Sequence, residues 1–400
     1  MKEGWDYKKL GELALSMADG PFGSNLKKEH YTNRKEVRII QLSNIGEEGW
    51  RDDNIKYTTF EHLETIKRSE VVSGDIVIAK MMPAGRAILC PNKESKYVLS
   101  SDAVRVTLKD GLNNRFILFS INSPYFRKQV YENVTGSGRV RTSLTKLRDC
   151  KIYLPSLSEQ QSIVDYLDSV FAKIDAMKAN AEKALNEAKA FFQASLKEML
   201  EPKEGWEEKP LKELGLTQTG TTPSKSDKDN YGDYMEFIRP SEIDCDGNGG
   251  IDYNCEMKLS EKGASKGRIF APNSIFMVCI GATIGKVGFS IKEVSCNQQI
   301  NVFTPKDDIN YKFAYYIMRS PSFQHRVIKE GTSSQATLPI INKGKWEQLS
   351  IHFPEINEQE IIASHLDSLS SKVLDLQANF DKISQECDAL KQAILRQVFE

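Results

Sequence analysis

The chain has 400 residues, 40% of them hydrophobic and 27% charged, with a formal net charge of −1. These totals suit two or three globular domains. They exclude a membrane-spanning helix, because no run approaches 18 apolar residues, and they argue against a uniformly basic nucleic-acid binder.

From the start, Met1-Lys2-Glu3-Gly4-Trp5 lacks the apolar core of a signal peptide. Seven scattered cysteines, an odd number, fit reduced thiols in a cytoplasm. No Cys-x-x-Cys or His-x-x-x-His spacing offers a metal site. The first region, residues 1–154, reads as mixed α/β. Strand-like runs at Val37 to Leu42 and Asp75 to Ala79 are punctuated by Gly20-Pro21 and Pro83-Ala84-Gly85, and a helix is expected from Phe116 to Tyr131. Residues 155–203 follow as a long helix. Pro155 lies just upstream, and Ser158 with Gln161 fits a capping box.

The pattern then repeats about 200 residues later. Glu3-Gly4-Trp5 recurs as Glu204-Gly205-Trp206, Ser123-Pro124 as Ser320-Pro321, and Leu167-Asp168-Ser169 as Leu366-Asp367-Ser368. Leu154-Pro155-Ser156-Leu157-Ser158-Glu159-Gln160 recurs as Phe353-Pro354-Glu355-Ile356-Asn357-Glu358-Gln359. Residues 204–353 therefore form a second α/β region, with strand-like runs at Ser274 to Val278 and Ile300 to Phe303 and a helix from Lys312 to Lys329. Residues 354–400 form a second long helix, with Asn357 and Glu360 as its capping box. A chain with two copies has pseudo-two-fold symmetry available to it and suits a bipartite partner.

Each long helix carries apolar positions alternately three and four apart: Leu167, Val170, Ile174, Met177, Ala181, Ala184, Ala188 and Phe191 in the first, and Leu366, Leu369, Val373, Leu376, Phe380, Ile383, Cys387 and Leu390 in the second. A seam held over four heptads signals a coiled coil, about 63 Å long at ~1.5 Å per residue. The first seam is thin in its middle and the second bulky there, so Phe380 over Ala181 suits antiparallel pairing. The fold class expected is α+β: two α/β domains arranged pseudo-two-fold, joined by two long antiparallel helices. Residues 158–200 hold 5 Lys against 7 acidic residues, and residues 357–400 hold 4 Lys or Arg against 8. The globular regions are left mildly basic, which is compatible with DNA contact.

Catalytic motifs yield near misses. Gly281-Ala282-Thr283-Ile284-Gly285-Lys286 has three residues between its glycines where a phosphate loop has four, and Val287 where Ser or Thr would hold magnesium. A turn between strands is the expected reading. Asp244 with Glu256 and Lys258 imitates a nuclease triplet, a pattern that arises by chance at this charge density. The five histidines sit in unrelated contexts.

What both copies do share is polar, turn-rich loops. Arg matches guanine edges and Asn or Gln adenine edges in bidentate geometry, while Ser, Thr and Lys hold phosphates. In the first copy the candidate DNA-binding residues are Ser24, Asn25, Gln41, Asn44, Lys80, Arg86, Ser101, Arg139, Arg141 and Thr142. In the second they are Thr221, Thr222, Ser224, Lys225, Arg239, Ser241, Thr283, Lys286, Asn297, Gln298, Gln299, Ser333, Ser334 and Gln335.

Taken together, these residues resemble the specificity subunit of type I restriction-modification enzymes. The sharpest motif is Pro-x-Leu/Ile-x-Glu-Gln at Pro155 to Gln160 and Pro354 to Gln359. Gly4-Trp5 followed by Leu10-Gly11-Glu12-Leu13, Gly205-Trp206 followed by Leu211-Lys212-Glu213-Leu214, and Gly281 to Lys286 also fit. The first copy departs from the last motif, with Met82-Pro83-Ala84-Gly85-Arg86, as expected if the copies read different sequences. The resemblance implies that each globular region is a target-recognition domain reading half of a split duplex DNA site. The helices would set the half-site spacing and dock two methyltransferase subunits. S-adenosylmethionine, ATP and Mg would belong to partner subunits, among them a restriction subunit that translocates and cleaves DNA. This chain would supply no catalytic group. A two-domain protein-binding scaffold, without DNA reading, is the alternative that the residues alone leave open.

Overall fold

A computed structural model describes residues 5–81, 83–132, 141–244, 249–332 and 339–400. It divides into two compact units. The first comprises residues 1–179 and 383–400, the second residues 180–382.

In the first unit, a four-stranded antiparallel sheet runs in the spatial order Ala14–Asp19, Ala103–Leu108, Ile76–Ala79, Ala87–Leu89. The inner strand Ile76–Ala79 is apolar and buried throughout, so both of its faces are covered, while its neighbour Ala103–Leu108 carries half-buried Arg105 and Thr107. Leu10, Ile76, Ile78, Val104, Val106, Phe116 and Ile117 form one core, and Val77, Ala79, Ile88 and Leu99 belong to another. A second sheet pairs Val37–Ile40 in parallel with Tyr97–Leu99 and antiparallel with Tyr57–Thr58. Asp6–Lys9 pairs antiparallel with Lys151–Leu154, which ties the start of the domain to its end.

The second unit repeats this internal plan. Its four-stranded sheet runs Gly215–Thr219, Ile300–Pro305, Ile275–Val278, Val287–Phe289. Tyr231–Ile238 pairs in parallel with Ser295–Cys296, and Glu207–Pro210 pairs with Ser350–Phe353. The helix expected over Phe116 to Tyr131 is two helices, Asn114–Asn122 and Pro124–Glu132, and its counterpart is Tyr311–Arg319 and Pro321–Thr332. The repeated Ser-Pro makes the break, since a residue before proline is forced out of the helical region. Ser123 and Ser320 are both extended, and each hydroxyl donates to the carbonyl three residues back at 2.6 Å.

The long helices span Leu157–Met199 and Ile356–Phe399. Their antiparallel course is visible within each unit. In the first, Asp175 meets Lys391 and Lys178 meets Asp388. In the second, Lys189 donates to Gln377 at 2.8 Å, and Phe192, Leu196 and Leu200 share a core with Ile362 and Leu366. Two sequence expectations about these helices need correction. Each helix begins at Leu157 or Ile356, so the cap falls two residues earlier than expected: Ser156 Oγ accepts from Glu159 N, and Glu355 O from Gln359 N. The packed stripe also differs from the expected seam. Leu167, Ile174, Leu366 and Cys387 are buried, and Ala181, Ala188, Val373 and Phe380 are half-buried. The intervening positions shift by one, to Phe171, Lys178, Leu185 and Phe192 in the first helix and to Gln377 and Lys391 in the second. Met177, Ala184, Phe191, Leu376 and Leu390 are exposed instead, while Val170, Leu369 and Ile383 are half-buried. The order 3-4 and the order 4-3 both approximate 3.6 residues per turn, and periodicity does not separate them.

Candidate nucleic-acid interface

The repeated Pro-x-Leu/Ile-x-Glu-Gln motif has one structural job, performed twice. The amide oxygen of Gln160 accepts from Asn113 N at 3.1 Å, and its nitrogen donates to Pro155 O at 3.0 Å. Gln359 accepts from Asn310 N at 2.9 Å and donates to Pro354 O at 2.9 Å. Both side chains are buried, so their amides satisfy backbone groups that water does not reach. The Gly-Trp motif supplies Trp5, edge-on to Phe116 with centroids 6.2 Å apart, and Trp206, edge-on to Phe313 at 6.0 Å. Trp5 Nε1 also donates to Glu159 at 2.8 Å. Asp168 takes Arg115, and Asp367 takes Lys312 and Tyr316. Burial and the Asp367 hydrogen bond push the Tyr316 phenol far up.

The first domain opens a cleft of about 840 Å³. It begins where Gly20 leaves the edge strand. A Cβ on Gly20 would lie 1.7 Å from Ser100 O, so only glycine fits this backbone approach. Lys80 lies in the floor, 7% exposed, with Nζ 2.7 Å from Asp19 Oδ1. Arg141 is held by Asp102 and by Ser101 O. Lys67 pairs with Glu64 and Glu70, and the hydrogen bonds it donates to those carboxylates raise its pKa. Arg68 has no ion-pair partner among the described residues. The lining carries four cations, but Glu64, Glu70, Asp19 and Asp102 pair three of them, so Arg68 is its one unneutralised cation among the described residues.

Of the residues read from the sequence, the cleft gathers Asn25, Lys80, Ser101, Arg141 and Thr142, and Ser24 hydrogen-bonds to Asn25 on the same loop. Others lie elsewhere. Asn44 is fully buried, and its amide donates to Arg51 O and Asp53 O, so it organises a turn and does not face solvent. Gln41 accepts from Asn54. Arg86 follows Gly85 in a hairpin turn, where Ala79 N donates to Arg86 O. Gly281 to Lys286 forms the matching hairpin, with Val278 N donating to Lys286 O. Thr283 is exposed there, and Lys286 Nζ approaches Pro240 O at 3.4 Å. Arg139, Ser333, Ser334 and Gln335 lie outside the described residues.

In the second domain Gly220 repeats Gly20, with a Cβ there 2.1 Å from Asn297 O. Thr222 donates to Gln298, Thr221 Oγ1 accepts from Arg268 N at 3.0 Å, and Asn297 closes a turn with Gln299. Ser224 and Lys225 are exposed. Arg239 is forked onto Glu242, to which Ser241 also donates. Burial would raise the Glu242 pKa, but these bonds hold it below its ordinary value. The nuclease-like triplet does not assemble as read. Asp244 accepts from Gly249 N in a turn, and Glu256 faces solvent beside Arg239. Among the described residues no group of three or more His, Cys, Asp or Glu is arranged to hold a metal. Sequence reading missed Phe22, Lys67, Arg68 and Arg268. The 200-residue offset between Arg68 and Arg268 was the available signal.

The family model for the type I restriction modification DNA specificity domain matches residues 2–187 and again 203–382. The chain belongs to that family. The HindI specificity subunit of Haemophilus influenzae is 30% identical over 193 residues, 48% of this chain and 41% of that protein. The EcoBI specificity subunit of Escherichia coli is 23% identical over 331 residues, 73% of this chain and 66% of that protein. The matches thus span between two fifths and two thirds of these specificity subunits. The fold matches a chain from a type I R-M system with a TM-score of 0.76 at 18% identity, covering 100% of this chain and 98% of that one. It also matches the HsdS subunit of Thermoanaerobacter tengcongensis, with a TM-score of 0.58 at 17% identity over 100% and 97% of the two chains. Among the described residues no helix is long and apolar enough to cross a membrane.

Proposed function

We propose that this chain is the DNA specificity subunit of a type I restriction-modification complex, with each α/β domain reading one half of a bipartite duplex target. The observation that carries this reading is a frame held constant while its lip varies. Trp5 and Trp206, Gln160 and Gln359, and Gly20 and Gly220 do the same work in both copies. The loop after that glycine presents Phe22 in one copy and a hydrogen-bonded Thr222 in the other. Two readers of unlike sequences require that combination, which a scaffold for one kind of protein partner does not. Phosphate contacts from Lys and Arg would give salt-dependent affinity, and base edges would give selectivity.

In this reading the long helices set the half-site spacing and dock two methyltransferase subunits. Exposed Met177 and Phe191 on one helix, and Leu376 and Leu390 on the other, offer apolar surface to partner helices. Adenine methylation with S-adenosylmethionine belongs to those partners. ATP-driven translocation and magnesium-dependent cleavage belong to a restriction subunit. This chain contributes recognition.

The test is to map methylated adenines in a host genome with and without the gene. A bipartite motif that disappears with the gene supports the reading. An unchanged methylation pattern, together with no salt-sensitive duplex binding by the assembled complex, overturns it in favour of a protein scaffold.

A further inference from the structure

Phe22 is 82% exposed although it belongs to a tightly built loop. Gly20 is pressed against Ser100 O, Pro21 is buried, and Asn25 N donates to Phe22 O at 2.7 Å. The ring is therefore held out by its backbone at the lip of the cleft, which Arg68 also lines. An apolar ring does not contribute to phosphate contact, and in this position it adds little to the core. Among groups on the base edges of a DNA major groove, the apolar one is the thymine C5-methyl, and Phe is among the side chains suited to it. At the same loop position the second domain has Thr222, whose hydroxyl is committed to Gln298. The two domains thus differ in polarity at one corresponding point.

We infer that Phe22 is a specificity-determining residue that contacts the C5-methyl of one thymine in the half-site read by the first domain. This rests on the DNA-reading function proposed above. It is distinct from a wedge inserted between bases, which would favour no particular base.

The experiment uses the chain assembled with its methyltransferase subunits and the mapped target duplex. Each thymine of the target is replaced singly by deoxyuridine, which removes only the methyl group. For the wild-type protein one replacement, in one half-site, weakens binding about fourfold, the worth of one buried methyl. Phe22→Ala weakens binding to the unmodified duplex by a similar factor and becomes indifferent to deoxyuridine at that position, while Phe22→Leu keeps part of the discrimination. Because Phe22 is exposed, both variants retain the wild-type melting curve. The inference is overturned if no single deoxyuridine matters to the wild type, if Phe22→Ala keeps the same deoxyuridine penalty, or if it weakens all sequences equally. Failure of the wild-type complex to prefer any target would instead sink the DNA-reading function itself.

Discussion

Glu48 Oε1 stands 3.1 Å from Lys178 Nζ and 3.8 Å from Lys391 Nζ, so one carboxylate of the first domain meets a lysine from each long helix. Lys178 also reaches Asp388 at 3.5 Å, Lys391 bonds Asp175, and Lys391 lies over the Phe171 ring. Burial would lower the Lys178 pKa, yet Glu48 and Asp388 raise it above its ordinary value. Lys178 occupies a position in the packed stripe where a coiled coil ordinarily places an apolar side chain.

The two partners should respond to mutation with different signs. Glu48 is more than half exposed, so Glu48→Ala should cost at most about 1 kcal/mol, less in high salt. Lys178→Met keeps the aliphatic stem and removes the charge from the stripe. Its partners Glu48 and Asp388 are more than half exposed, so water solvates them when the lysine is gone and no buried charge is left unpaired; the substitution should be neutral or stabilising. Denaturant unfolding of both variants at low and high salt checks this. A Lys178→Met loss larger than the Glu48→Ala loss would refute it.

Gln160 is the more demanding residue. Gln160→Leu leaves Asn113 N–H and Pro155 C=O unpaired in a dry site and should destabilise the first unit by about 2–4 kcal/mol. Gln359 additionally donates to Asp308 O at 3.1 Å, so Gln359→Leu should cost at least as much in the second unit. Native-state hydrogen exchange would assign each loss to its own unit, which a single melting temperature does not do for a chain with two units.

How far the sequence could be read follows from which interactions are local. The repeat, the two α/β regions and both long helices were legible because apolar periodicity and turn residues report on a few consecutive positions. The seam was misread where helix neighbours compete: Val170 against Phe171, Met177 against Lys178, Ala184 against Leu185, Phe191 against Phe192. In three of those pairs the larger or equal apolar side chain is the packed one. At Lys178 the signal pointed the wrong way, because Glu48, Asp388 and the helix partner compensate its charge from far along the chain. The cleft was legible only in part. Arg141 and Lys80 announced themselves by residue type. Asn44 has the same donor and acceptor inventory as a base-reading amide, and only its burial shows that those groups serve Arg51 and Asp53. Phe22 is not legible as a site residue, because an aromatic side chain in sequence does not disclose whether it is buried or, as here, exposed.

Glu242 supplies a pH dependence. Its folded pKa lies below the ordinary 4.5, held there by Arg239 and Ser241 against the effect of burial. A depressed carboxylate contributes stability that is fully present above the unfolded pKa. That contribution is lost as pH falls through the folded value. The second unit should therefore weaken as pH drops below about 4.5. Glu242→Gln should flatten the part of the pH–stability curve that comes from this group. Unfolding measured from pH 6 down to about pH 3 in both proteins checks it, and parallel curves would contradict the assignment.

The exposed apolar positions of the long helices separate folding from assembly. Phe191 is 62% exposed, Leu390 48% and Met177 60%, so none contributes much to its own unit. Phe191→Lys and Leu390→Lys should change unfolding free energy by no more than about 0.5 kcal/mol. If these side chains insert between methyltransferase helices, each loses about 1.5–3 kcal/mol of apolar burial on association, so affinity for that subunit should fall roughly ten- to a hundredfold. Titration calorimetry with the isolated methyltransferase subunit reads this directly, while duplex binding by the fully assembled complex at high subunit concentration should recover. Unchanged subunit affinity in both variants would place the docking surface on another face of the helices.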